Sequence, residues 1–551
     1  MLRAAALAAC LSMAACATSA GPPAITRSGA YADYLIGRIA NMSDDHQVAS
    51  DRYFAALARA PRDEGLLNGA VISSLAIGDA QRARRAARMA PAQGAPGYVH
   101  LVRGVDALSA RRWGAVAEQA ETLEGPAAEE LLGRMLLVWA RAGQGRVDEV
   151  LVDLAPLTQI RQYGGLFAYQ QAMALDYAGR QDGALQAYEA ARAGGLFLPS
   201  GVERHADLLV RRGARDQAIA LLSEETNRAN PALAAALARL EAGDVVAAEP
   251  LTPAKGASVA LFGMSAIFQQ EHDATNALAS LTLALMLDPS FDGARIAFAQ
   301  QQNQLGHSDL ARRMLASVPA DSPYAGNARI TESWVLLDAG DEAGALTLAT
   351  ANAQSGDLRA TRTLADMYRN LGRYDDAEPL YSQLIAAQPG DWRLYFARGA
   401  ARERLGRWPE AEADMQEALR LSPDQPDVLN YLGYSWIDRG ERLEEGLAMI
   451  QRAVELRPLS GAIIDSLGWA YFRMGDYSRA LDLLERAVEL EPSDPTLNDH
   501  LGDVYWRMGR RIEARFQWER ALGFEPDNPD AIRAKLEAGL PAEPVRRSAN
   551  R

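Results

Sequence analysis

The residues of this 551-residue chain best suited to nucleophilic or metal chemistry are two cysteines and six histidines. Their positions limit what they can do. Cys10 and Cys16 both lie within the first sixteen residues. Everything after them therefore lacks a thiol nucleophile, a cysteine metal site and a disulfide. His46, His100, His205, His272, His307 and His500 are scattered over different repeats, with no HExxH motif, and none is expected to form a close His–carboxylate pair. No GxxxxGK[ST] phosphate loop or GxSxG nucleophile elbow occurs. Three acidic pairs, at Glu129 and Glu130, Asp375 and Asp376, and Glu444 and Glu445, stand near helix N-terminal turns. Negative charge there favours the helix dipole, which explains these residues better than acid/base work does. The expectation is a chain with no catalytic residue, no metal and no cofactor.

Composition narrows the class further. The formal net charge is −14, which opposes a phosphate backbone and argues against nucleic acid as a partner. Ala, Leu, Arg and Glu dominate, and aromatics are only 7%. Such residues lose little side-chain freedom in a helix, so the chain reads as all-helical. The basic residues are Arg apart from Lys255 and Lys535. A chain this long exceeds one compact core and calls for several domains or one repeat array. Beyond the N-terminus no unbroken apolar run of about 18 residues is present, as a membrane-crossing helix would need.

Arg3 follows Met1 and Leu2, and Ala4 to Ala15 is apolar and small-sided. This is the layout of an export signal. Met13, Ala14 and Ala15 precede Cys16, and Ala17, Thr18, Ser19 and a Gly-Pro-Pro run follow. The pattern resembles the bacterial lipoprotein signal, in which such a cysteine is lipidated and becomes the new N-terminus. Met13 stands where that family usually has Leu. The resemblance implies a signal peptide over 1–15, lipidation at Cys16 and a flexible tether over 16–29. Ala17, in place of Asp, implies the outer membrane facing the periplasm. Ordinary cleavage to a soluble periplasmic product is the alternative.

The body is built on an internal period. From Gly461 to Asp494, Leu467, Gly468 and Tyr471 fall on a first helix, and Gly475 ends it. Ala480, Leu484 and Ala487 fall on a second, which Pro492 closes. Gly468 and Ala480 are small enough for two helices to cross closely, and Tyr471 and Leu484 fill the space beside the crossing. This 34-residue unit resembles the tetratricopeptide repeat (TPR). The pattern returns at 358–391, 392–425 and 495–528, and at 426–460 with one extra residue in the turn around Gly440–Leu443. Weaker copies occupy 30–63, 165–198 and 258–291, and Gly143, Gly213, Gly306 and Gly340 mark further turns.

The fold class expected is therefore an all-α tetratricopeptide-repeat solenoid of about thirteen to fourteen units. Residues 30–249 form a degenerate N-terminal array and 258–528 a C-terminal array. Between them, Pro250 and Pro253 break the period at 250–257, read either as a joint or as a surface loop. A capping helix is expected at 529–540 and a disordered tail at 541–551.

In such a stack the first helix of each repeat lines the concave face. Positions 2, 5, 9, 12 and 13 share one side of that helix. In the last three repeats they include Asn430, Tyr434, Asp465, Trp469, Phe472, Arg473, Asp499, Trp506 and Arg507. Aromatics ringed by charge have the character of a binding hot spot, so these nine are the candidate partner-binding residues. The competing reading is that the aromatics cover their neighbours in the stack. Trp436 and Trp518 fall on core positions.

The run from Tyr431 onward, with its YLGY, DSLGW and HLGD openings and the long turn at Arg439–Leu443, resembles the C-terminal repeats of TPR lipoproteins of Gram-negative bacteria. That resemblance covers roughly a hundred residues. It implies a non-catalytic adaptor on the outer membrane whose partner is a periplasmic carboxyl-terminal processing protease acting on cell-wall hydrolases. An accessory lipoprotein of secretion or polysaccharide export is the alternative of the same class. An unrecognised enzymatic activity is the alternative of another.

Overall fold

The computed structural model describes residues 29–541 except 93, 124–126, 195–197 and 245–249. The export signal, Cys16 and residues 542–551 lie outside the described residues. Within them the elements are helices, fourteen of which in succession open a helix pair, from Ala30–Met42 with His46–Leu57 to Pro495–Arg507 with Arg511–Leu522. Pro231–Ala242 stands singly, and Pro529–Ala538 follows the last pair.

Local sequence sets the helix ends. Asp63, Asp79, Asp273, Asp391 and Asp494 each accept a hydrogen bond from a first-turn N–H, satisfying donors that the helix itself leaves open. Gly475 closes Gly461–Met474 in the left-handed conformation, at φ 84°, which costs a glycine nothing. The glycine expected to turn at Gly143 is instead the last residue of Ala127–Gly143. Gly145, two residues on, takes the left-handed conformation. In the longer turn after Gly440, Arg442 adopts φ 43°, and its guanidinium lies 4.2 Å from the Trp436 ring.

Small residues decide how closely paired helices cross. A Cβ on Gly433 would stand 2.7 Å from the backbone oxygen of Gly446, and one on Gly468 would stand 2.7 Å from Leu484 Cγ. Ala480, Leu484 and Ala487 are fully buried beside that second crossing, as the repeat pattern anticipates. Trp436 and Trp518 are core residues. Their indole N–H groups donate to Glu412 and Asp503.

The chain forms two compact units, Met1–Leu348 and Ala349–Arg551. The boundary between them lies at 348/349, and the segment 250–257, read above as a joint or a surface loop, falls inside the first unit. That segment starts a helix, Pro253–Gln270, with Thr252 as its N-cap. The helix then returns into the N-terminal unit. The first helices of four pairs, Glu64–Ala76, Gly97–Ser109, Ala127–Gly143 and Gly164–Tyr177, pack against Pro253–Gln270 or Ala274–Leu287. Gly256 lies against the ring of Trp139 and Gly263 against Leu166. Thr282 Oγ1 donates to Leu75 O at 2.7 Å, and Gln302 Nε2 to Ala76 O at 2.6 Å.

The physical cause is visible in Ala274–Leu287, where nearly every residue from Ala277 to Leu287 is buried. A helix apolar all round has no face to offer solvent and is stable only when surrounded. The inner face of the N-terminal array is thus filled by its own chain.

Candidate functional site: a groove in the C-terminal unit

Four consecutive first helices build the groove: Trp392–Arg404, Pro426–Arg439, Gly461–Met474 and Pro495–Arg507. Between them lies a cavity of about 370 Å³, lined by Glu403, Arg404, Asn430, Tyr431, Tyr434, Ser435, Asp465, Ser466, Thr496 and His500. Three of the nine candidate residues, Asn430, Tyr434 and Asp465, lie in this lining.

Its chemistry is that of a polar groove with aromatic walls. Burial, seconded by the carboxylates of Asp438 and Asp465, pushes the Tyr434 hydroxyl up to about 12. Burial and Glu403 push Tyr431 to about 12 as well. Both hydroxyls therefore stay protonated and available as donors at any physiological pH. Tyr431 donates to Glu403 at 3.2 Å. The Oδ1 atom of Asn430 is buried and, among the described residues, has no hydrogen-bond partner. A buried acceptor left unmet costs roughly 1–3 kcal/mol.

Behind the groove stands a stack that the sequence did not disclose. Trp469 lies face to face with His500 at 4.0 Å and with Phe472 at 4.7 Å between ring centroids. His500 Nδ1 is 2.9 Å from one oxygen of Asp465 and 3.0 Å from the other. This corrects the expectation that no histidine has a close carboxylate. The two residues are 35 apart, one repeat plus one, which sets them side by side on neighbouring first helices. Arg473 and Asp438 pair across the same interval. The signal was present in the sequence as complementary charge one repeat apart.

Burial works to lower the pKa of His500, but Asp465, by charge and hydrogen bond, with Asp503 and Asp499 beyond, raises it above 6.5 overall. A histidine raised in the folded state contributes stability that is complete below its unfolded pKa and is lost as pH rises through the folded one. The C-terminal unit is therefore expected to lose resistance to urea as pH increases from 6.5 upward, and His500→Gln to flatten that slope. A midpoint that is level from pH 6 to 9 in the parent chain would refute the coupling.

The remaining candidates are placed elsewhere. Asp499 accepts hydrogen bonds from Lys535 Nζ of Pro529–Ala538 at 2.8 Å, and Arg507 donates to Pro541 O at 2.7 Å. Trp506 packs on Trp518 with centroids 5.3 Å apart, lies under Gly539, and has the Arg511 guanidinium 3.8 Å above it. These three residues hold the capping segment, so the aromatic row read from the sequence serves two purposes. Trp469 with Phe472 backs the groove, and Trp506 anchors the cap. Among the described residues no cluster of three or more His, Cys, Asp or Glu side chains could hold a metal, and no helix is long and apolar enough to cross a membrane.

Parts of the chain match known repeat proteins. Residues 362–426 and 401–461 match the tetratricopeptide repeat family, and 468–509 match the TPR repeat. Over 157 residues the chain is 31% identical to a TPR repeat-containing protein of Pseudomonas aeruginosa, taking in 28% of this chain and 26% of that protein. The chain thus matches about a quarter of that relative's length. Among solved structures, a tetratricopeptide repeat protein from Parabacteroides merdae aligns at 17% identity, covering 45% of this chain and 98% of that one with a TM-score of 0.39. The APC/C hetero-tetramer Cut9–Hcn1 aligns at 15% identity, covering 93% and 97%, with a TM-score of 0.41. Arrays of this kind are interaction scaffolds with protein partners. The described residues are thus helical throughout, and within them 362–426, 401–461 and 468–509 are tetratricopeptide repeats.

Proposed function

We propose that this protein is a non-catalytic adaptor of the cell envelope, tethered through a lipid on Cys16, whose C-terminal groove holds a segment of a periplasmic protease or cell-wall factor. The observation that carries the binding role is the groove itself, a cavity of about 370 Å³ lined by Asn430, Tyr431, Tyr434 and His500, with the hydroxyl of Tyr434 held protonated. An extended segment of a partner supplies main-chain carbonyl acceptors for that hydroxyl. The lipoprotein-like residues before Cys16 support the location, and the repeats from Tyr431 onward support the protease as partner through their resemblance to TPR lipoproteins.

Affinity capture from mildly solubilised envelopes, followed by mass spectrometry, tests this reading. The tagged chain is expected to recover a periplasmic protease in stoichiometric amount. Asn430→Ala with Tyr434→Phe should recover it roughly tenfold less well, at an unchanged melting temperature. Recovery of secretion or export components would replace the pathway while keeping the scaffold. Equal capture by the double variant would remove the groove from the interaction. Cys16→Ser is expected to release the chain into the soluble periplasmic fraction.

A further inference from the structure

The first helix of the array, Ala30–Met42, buries Asp33, Gly37 and Ala40 and turns its other side outward. Tyr31 is 73% exposed, Ile39 66% and Met42 78%, with Leu35 and Ile36 each 38% exposed. Tyr31, Leu35, Ile39 and Met42 are spaced by four, four and three residues, which aligns them along one face of the helix. The charge on the helix is equally one-sided. Its single acidic residue, Asp33, is turned inward onto the guanidinium groups of Arg52 at 3.3 Å and Arg59 at 2.8 Å. Arg38 is exposed, so the outward side is apolar with one positive charge and no negative one.

We infer that this face lies on a lipid bilayer, as an interfacial helix that fixes the N-terminal end of the array against an anionic membrane surface. Apolar side chains with an aromatic and a cation, and no acid, are what the headgroup–acyl boundary accepts. Chain length argues for the same occupant. Twelve residues separate Cys16 from Gly29, and these thirteen steps, fully extended, reach at most about 45 Å. A lipid on Cys16 would therefore hold this helix within that distance of the bilayer and raise its effective concentration there. A second copy of the chain fits less well. Five side chains from one thirteen-residue helix fall short of the roughly 800 Å² per partner that a stable protein interface buries. The length argument rests on the proposed anchor, whereas the apolar face and its charge do not.

The test is flotation of the chain from residue 16 onward, carrying Cys16→Ser, with vesicles of phosphatidylethanolamine and phosphatidylglycerol. Without an acyl chain, binding reports the helix alone, so its outcome is separate from that of the anchor, which is read by membrane fractionation in cells. The expected result is that the chain floats with the vesicles, and that Leu35→Ser, Ile39→Ser and Met42→Ser together reduce the bound fraction at least tenfold with unchanged helicity and melting. Three results would overturn the inference: no flotation of the parent, equal flotation of the triple variant, or a concentration-dependent dimer that the triple variant dissolves. The last would make a second copy the occupant.

Discussion

Trp139→Ala is expected to lower the stability of the N-terminal unit by about 3–5 kcal/mol, the usual loss when a fully buried Trp is truncated. The ring is 0% exposed and fills the space beside Gly256, which has no side chain with which to close the gap. Its indole N–H donates to Gln170 Oε1 at 2.9 Å. Gln170 is itself fully buried, and its amide nitrogen already has no partner among the described residues. The substitution therefore adds an unmet acceptor to the cavity. Urea unfolding followed by circular dichroism gives the total. Hydrogen exchange in Ala127–Gly143 and Pro253–Gln270 locates it, since both helices should lose protection together. A loss under 1 kcal/mol would mean that Pro253–Gln270 is not seated on the inner face. By the same reasoning, a fragment ending at residue 249 should expose that face and aggregate, whereas one ending at residue 348 should stay folded.

Lys535→Met is expected to cost the C-terminal unit about 3 kcal/mol at neutral pH, the scale for removing one member of a buried ionic group. Lys535 Nζ lies 2.8 Å from both oxygens of Asp499 and 2.8 Å from Asp503 Oδ2. Asp503 is 4% exposed and also accepts the Trp518 indole N–H at 2.9 Å. Burial, the largest influence, lifts the Asp503 carboxyl above its ordinary value of 3.8 against the pull of Lys535, and Asp499 adds to the lift. Methionine keeps the length of the stem but leaves two carboxylates facing each other. A carboxyl raised in the folded state loses stability as pH rises through its folded pKa. The deficit of the variant should therefore be small near pH 4 and full at pH 7. Melting temperatures of parent and variant at the two pH values decide the matter, and a deficit that does not change with pH would show that the charge is not the cause.

The residues of the groove were only partly legible. Asn430, Tyr434 and Asp465 were found because first-helix positions repeat with a known period, and a periodic fold turns sequence spacing into a shared surface. Trp506 has the same position and residue type as Trp469, yet it meets Trp518 and Gly539 because it belongs to the last full repeat. There the capping helix occupies the place that another repeat would take. His500 carried no local sign of its role, since its carboxylate comes from the preceding repeat.

The sequence by itself determined the helix pair, its close crossing at Gly468, the glycine that ends its first helix at Gly475 and the core positions of Trp436 and Trp518. All of these follow from contacts within one repeat or between adjacent ones, where spacing is geometry. Only the tertiary structure decided that Pro253–Gln270 and Ala274–Leu287 fill the N-terminal array. Their apolar surface had to be buried, but periodicity does not say against what. The contact of Trp139 with Gly256 spans more than three repeats, and its partner is chosen by which far helices the fold brings within reach.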